Sequence, residues 1–263
     1  GSSVQLRGQA LPASEHFEEA LRIYRAQKNE AGEAAALKGL GDVYTQLGQI
    51  ERAAECYDEA LRQFERAGLR RNVAETELAL GQLRLRQRSY EDAVTHYAVA
   101  LQQFLEIQDR RGEADAQLAM GEVRHLQRQN EEAVRLWTEA LATYRETRDR
   151  FGEAQTVSRL GDECLLLRDY AGALTNYELA LNLWHELGDP IGAVEPMYGQ
   201  VGHCLALLNR RAEAVQAFEH AAEARSVRQF GWLGWRAMVE GNFEDALVHF
   251  SAMTNRDPAV RWQ

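Results

Sequence analysis

The sequence predicts an all-α fold, an α-solenoid of stacked helix-turn-helix hairpins, from three observations. Gly41, Gly81, Gly121 and Gly161 fall 40 residues apart. Alanine and aromatic columns keep the same interval: Ala53, Ala93, Ala133 and Ala173; Tyr57, Tyr97, Trp137 and Tyr177; Ala60, Ala100, Ala140 and Ala180; Tyr24, Phe64, Phe104, Tyr144 and Trp184. The chain is also 45% hydrophobic and 27% charged with only four prolines, the composition of an ordered helical protein. A fixed period of this length marks an array of supersecondary units, each too small to bury its own apolar face.

The elements follow in order. Residues 1–8, opening on Gly1-Ser2-Ser3, read as an expression remnant or linker. A lone helix is predicted over 12–28, because Ala13, Phe17, Ala20, Leu21 and Tyr24 match the second helix of a unit that lacks its first. Repeats are predicted over 31–68, 71–108, 111–148, 151–188, 191–225 and 227–258, as one array across 9–258. In the first repeat one helix runs from about Glu33 to Leu47. The next starts near Glu51 and carries Ala53, Tyr57, Ala60, Leu61 and Phe64 as one stripe at helical spacing. Gly41 recurs in every regular unit and so meets a packing demand. Gly48 has Arg88, Arg128 and Arg168 as counterparts and marks a turn. In the fifth repeat Gly202 sits one residue late, and Pro196 predicts a kinked or delayed first helix. Trp262 falls at the start of a truncated next element, 259–263, so the chain reads as a fragment of a longer one or an array with a lone starting helix.

These residues carry a family resemblance. Leu37, Leu40, Gly41, Tyr44, Gly48, Ala53, Tyr57 and Ala60 stand at the spacing of the tetratricopeptide repeat, which the unit resembles. The 40-residue period is similar to the long-helix subclass of kinesin light chain, Pins-type adaptors and bacterial peptide-sensor arrays. Six residues beyond the usual repeat add about 9 Å of helix. The last unit, with Phe230, Leu233, Gly234, Ala237, Gly241, Phe243, Ala246, Phe250, Met253 and Pro258, fits the ordinary shorter form. The resemblance implies a right-handed superhelix whose first helices line a concave groove and whose second helices form the convex wall.

It also implies which positions face the groove. The ninth position of the first helix reads Asp42, Gln82, Glu122 and Asp162. The second includes Glu75 and Asp115, and the fifth Lys38, Leu78 and Leu118. The last two include Gln46, Arg86, His125 and Leu165. Trp235 falls on a groove position of the last repeat. The groove is therefore expected to carry an acidic stripe beside an aliphatic floor, suited to a peptide or partner helix with basic and apolar residues. A solvated charged face is the alternative. The Lys, Asn and Arg set that clamps chaperone carboxylates is reduced to Lys38 and Arg86, and the groove asparagines of the Pins and Rap-type relatives are missing. The implied role is a protein-binding adaptor or scaffold. The second reading is the ligand-sensing arm of a larger bacterial signalling ATPase or transcription regulator.

Chemistry leaves no signature. There is no HExxH, GxxxxGK, GxSxG or CxxC pattern, so no enzyme, cofactor or metal site is expected. A lone His125 makes no metal site, and Asp162 and Glu163 beside Cys164 disfavour a thiolate. The net charge of −10 argues against nucleic acid. Arg70, Arg71, Arg84, Arg86 and Arg88 form a basic patch without interleaved aromatics, read as a solvated turn. Three scattered cysteines suggest a reducing compartment, and no apolar run spans a bilayer, so a cytoplasmic, membrane-free protein is expected. Self-association through the array ends is a further expectation.

Overall fold

Helix signals in the sequence have local physical causes in the structure. The computed structural model describes residues 2–189, 192–223 and 229–256, with side chains described between residues 13 and 252. The expectations for Val227, Pro258, Trp262 and 259–263 lie outside the described residues. The chain divides into two compact units, Gly1–Thr143 and Tyr144–Gln263.

Unit 1 comprises α1 (Ser2–Ala26), α2 (Glu30–Leu47), α3 (Ile50–Arg66), α4 (Arg70–Arg86), α5 (Tyr90–Glu106), α6 (Arg110–Leu126) and most of α7 (Asn130–Thr147). Unit 2 continues with α8 (Arg150–Leu166), α9 (Tyr170–Glu186), α10 (Val194–Leu207), α11 (Arg211–Glu223), α12 (Gln229–Glu240) and α13 (Phe243–Arg256). Helix α1 begins at Ser2, so residues 2–8 are helical where the sequence reading placed a linker; Gln5, Leu6 and Arg7 are good helix formers. Helix α10 starts only at Val194, with Pro196 in its first turn where a missing N–H costs nothing.

Several helix starts are set by short polar caps, while α3, α4, α5 and α10 start without a side-chain cap bond. Asp109, Asp149 and Asp169 each accept a hydrogen bond from the backbone N–H three residues on, at Gly112 (3.2 Å), Gly152 (3.0 Å) and Gly172 (2.9 Å). Asn29 caps α2 in the same way through Gly32.

Each hairpin closes on a glycine socket. A Cβ placed on Gly81 would lie 2.4 Å from the Tyr97 ring, and on Gly161 2.7 Å from Tyr177. Gly41, Gly121, Gly202 and Gly234 sit likewise under Tyr57, Trp137, Phe218 and Phe250. The ring of the second helix therefore lies on bare backbone of the first, which is the packing demand behind the repeated glycine.

Seven residues after each socket the chain turns through a left-handed residue: Gly48, Arg88, Arg128, Arg168, Asn209 and Gly241. Nothing lies within 4 Å of a Cβ built on Gly48, so backbone conformation, not space, favours glycine there. The arginines adopt the same φ near +60°. The next backbone N–H reaches back five residues, as from Gln49 to Tyr44, Ser89 to Arg84, Gln129 to Arg124 and Asp169 to Cys164.

The cores are the repeat columns. Tyr57, Phe64, Tyr97, Phe104 and Trp137 are buried in unit 1, and Tyr144, Tyr177, Trp184 and Phe218 in unit 2. Burying one such aromatic stabilises the fold by about 1.5–3 kcal/mol.

Candidate ligand-binding faces of the first helices

In unit 1 the predicted positions recur at helical spacing on α2, α4 and α6. Lys38, Asp42, Glu75, Leu78, Asp115, Leu118, Glu122 and His125 are half-buried; Gln46, Gln82 and Arg86 are exposed. The carboxylates are engaged within the fold. Asp42 Oδ1 accepts the Tyr57 hydroxyl at 2.7 Å, while Oδ2 accepts Lys38 Nζ at 3.3 Å. Burial pushes the Tyr57 hydroxyl pKa upward, so it remains a donor. Arg71 reaches Glu75 at 3.5 Å and Asp109 at 2.7 Å. The acidic column expected to wait for a ligand thus also ties the first helix to the second.

The exception sharpens the rule. Gln82 stands where Asp42 stands one repeat earlier, and the corresponding Tyr97 hydroxyl is buried without a hydrogen-bond partner. In the third hairpin Trp137 replaces the tyrosine and donates its indole N–H to the Leu118 carbonyl at 3.2 Å. His125 lies against the same indole, with ring centroids 5.7 Å apart. Arg70 pairs with Glu106 and Arg84 binds Gln87, so part of the basic patch is also spoken for inside the unit.

Unit 2 repeats the bond and then departs from it. Asp162 accepts the Tyr177 hydroxyl at 2.8 Å, and Arg159 stands 3.9 Å away. One turn on, Leu165 borders a half-open cavity of about 390 Å³, also lined by His203, Leu207, Phe218, Trp235 and Met238. Trp235 is 37% exposed; its ring meets His203 edge-on at 4.8 Å and Phe250 at 5.8 Å. Burial lowers the pKa of His203, whose Nε2 is sealed from solvent without a hydrogen bond. Below it Trp232 covers Gly199 and donates to Glu195 at 2.9 Å.

Sequence reasoning found Leu165 and Trp235 but missed His203, Leu207, Met238 and Trp232. The residue after each socket glycine is Asp42, Gln82, Glu122, Asp162, His203 and Trp235. Counting by 40 loses this column at Gly202; counting from the glycine keeps it.

The cysteines are free. The Cys164 pKa is raised first by burial and then by the charge of Asp169, ahead of Glu163, so burial rather than sequence neighbours keeps it a thiol. Burial raises Cys204 to about 11. No cluster of metal-ligating side chains occurs among the described residues. No described helix is long and apolar enough to cross a membrane.

Paired helices on glycine sockets, with ring-and-alanine columns behind them, define an all-α helical-repeat protein. The chain belongs to the tetratricopeptide repeat family: it matches that family's models over residues 1–66, 32–106 and 195–227. No curated protein matches it. Among solved structures, it is similar to a signal transduction ATPase with numerous domains (STAND) from Pyrococcus horikoshii, which carries a tetratricopeptide repeat sensor. The TM-score is 0.74 at 16% identity, covering 100% of this chain and 42% of that one. Aspartyl phosphate phosphatase F from Bacillus subtilis gives 0.72 at 15%, covering 97% and 68%. BtubC (BKLC) from P. vanneervenii gives 0.64 at 17%, covering 98% and 93%. At such identities the likeness establishes the fold alone.

Proposed function

We propose that this chain is a non-catalytic interaction module that binds a peptide or helical segment bearing basic and apolar residues on the first-helix faces of its hairpins. The observation that carries this reading is the cavity of unit 2. Leu207, Trp235 and Met238 are exposed there at first-helix positions, where a purely structural role would call for polar side chains. An apolar recess with a few convergent polar groups is what peptide anchors use. In unit 1, Glu75, Gln82 and Glu122 would supply charge and hydrogen bonds to the same kind of segment, with Lys38, Asp42 and Arg86 setting its register. The adaptor role is tested by pull-down with the wild type and with Glu75→Lys/Glu122→Lys, substitutions that spare the Asp42–Tyr57 bond. Weaker recovery of basic partners by the variant is expected; equal recovery removes the acidic contribution.

A second reading treats the chain as the sensing arm of a larger signalling protein. The STAND protein favours it, since this chain is similar to part of a longer protein whose repeats are described as a sensor. A nucleotide-binding or DNA-binding domain encoded in frame beside this region would support that reading; its absence from the parent gene would remove it.

A further inference from the structure

We propose that the cavity of unit 2 receives one aromatic side chain of the partner segment and that Asp162 receives a basic residue beside it. The recognised motif is then an aromatic residue flanked by lysine or arginine. This rests on the peptide-binding reading above and names the part of the peptide that is read.

Three observations converge on it. First, the residue after the socket glycine is a carboxylate or amide in four hairpins, Asp42, Gln82, Glu122 and Asp162, and becomes His203 and then Trp235 in the last two. The polar column turns aromatic where the cavity opens. Second, the site is built before any ligand arrives. Trp235 is held by edge contacts at 82° from His203 and 80° from Phe250, yet keeps 37% of its surface in solvent. A pre-set ring lowers the ordering cost of binding. Aromatic partners favour such edge and offset contacts, and Met238 adapts its shape to them.

Third, the charges select the occupant. No residue bordering the cavity carries a charge at neutral pH, because burial keeps His203 unprotonated, so the inserted group must be neutral. The volume of about 390 Å³ holds one large ring rather than a folded segment. Asp162 stands one turn before Leu165 on the same face of α8, 39% exposed while it accepts the Tyr177 hydroxyl. Its charge, and the chain's net charge of −10, complement a cation next to the ring.

The test is selection of random peptides of about twelve residues, displayed on phage, against the full chain. Recovered peptides are then measured by fluorescence anisotropy on the wild type and on Leu207→Ser, Trp235→Ala, Asp162→Asn and Asp58→Lys. The expected peptides share a tryptophan, tyrosine or phenylalanine with lysine or arginine within about one helical turn. Leu207→Ser and Trp235→Ala should bind them about tenfold or more weakly, and Asp162→Asn severalfold more weakly. Asp58→Lys, exposed on the second helix α3 of unit 1, should leave this motif's affinity unchanged. Leu207 is 54% exposed, so its variant keeps the fold if Trp235→Ala does not. Peptides that bind all variants alike overturn the cavity assignment and leave the interaction reading standing. Recovery of no peptide overturns both. A dimer in sedimentation that Leu207→Ser dissociates makes a second copy the occupant and overturns the proposal.

Discussion

In the first hairpin of unit 1 the side chain after the socket glycine, Asp42, bonds inward; in the last two hairpins of unit 2 the same position gathers rings around an open cavity. Asp42 reaches Tyr57 across its hairpin, whereas His203 and Trp235 meet each other edge-on. The scaffold beneath is the same in both, glycine under an aromatic ring. The fold therefore fixes where this position sits and leaves its chemistry free. An acidic column in a helical repeat is thus not simply a waiting ligand site, because part of its hydrogen-bonding capacity is spent within the hairpin.

The largest break of this comparison pits two tryptophans of unit 2 against each other. Trp184 is 2% exposed in a repeat column, so Trp184→Ala should cost about 3–5 kcal/mol in chemical denaturation. Trp235→Ala, at the half-exposed face, should cost about 1 kcal/mol in the same assay.

Next comes a charge in unit 2 that is clamped from two sides. Glu153 is buried and accepts from Arg145 at 2.9 Å and Arg150 at 2.9 Å. Burial by itself would raise its pKa, but the two guanidinium bonds prevail and hold it below the usual carboxylate range. Glu153→Gln should cost about 1–3 kcal/mol at neutral pH. A depressed carboxylate stabilises the fold above its unfolded pKa. That contribution fades as pH falls through the folded value, so an acid titration should show wild type and variant converging.

Two tyrosines of unit 1 sharpen the role of the acidic column. Tyr57→Phe removes bonds to Asp42 and Thr45 and should cost about 1 kcal/mol. Tyr97→Phe removes a buried hydroxyl that bonds to nothing and should be neutral or slightly stabilising by the same melt. Equal losses at both positions would deny the Asp42–Tyr57 bond its structural part.

The smallest effect is a pH dependence. His203 has a folded pKa below its ordinary 6.5, so above that value it is neutral in both states. As pH falls below 6.5 the unfolded chain binds the proton first, and stability drops. His203→Leu should flatten this drop below pH 6.5, read as midpoint against pH.

The repeat scaffold was legible because sockets and ring columns are short-range patterns repeated many times: Gly41 and Tyr57 announce the hairpin, and their successors confirm it. The delayed start of α10 followed from Pro196. The helical state of residues 2–8 was hidden because a Gly-Ser opening outweighed the helix formers behind it. The double duty of Asp42 was hidden, since a carboxylate column at groove spacing looks the same whether or not a tyrosine hydroxyl lies behind it. His203 and Met238 stayed invisible for another reason: a count by 40 drifts by one residue past Gly202, and a helix rotates about 100° for that one residue.

The constant seven-residue interval from socket glycine to left-handed turn has an evolutionary consequence. Between Gly41 and Gly48, Gly81 and Arg88, Gly202 and Asn209, or Gly234 and Gly241 it never changes, while the extra residue of the fifth repeat falls between Trp184 and Gly202. Insertions and deletions within a hairpin would lift the ring off its glycine, so length variation is channelled to the linkers between hairpins. A grafted loop or tag should be tolerated between Glu186 and Val194 and rejected between Gly161 and Arg168.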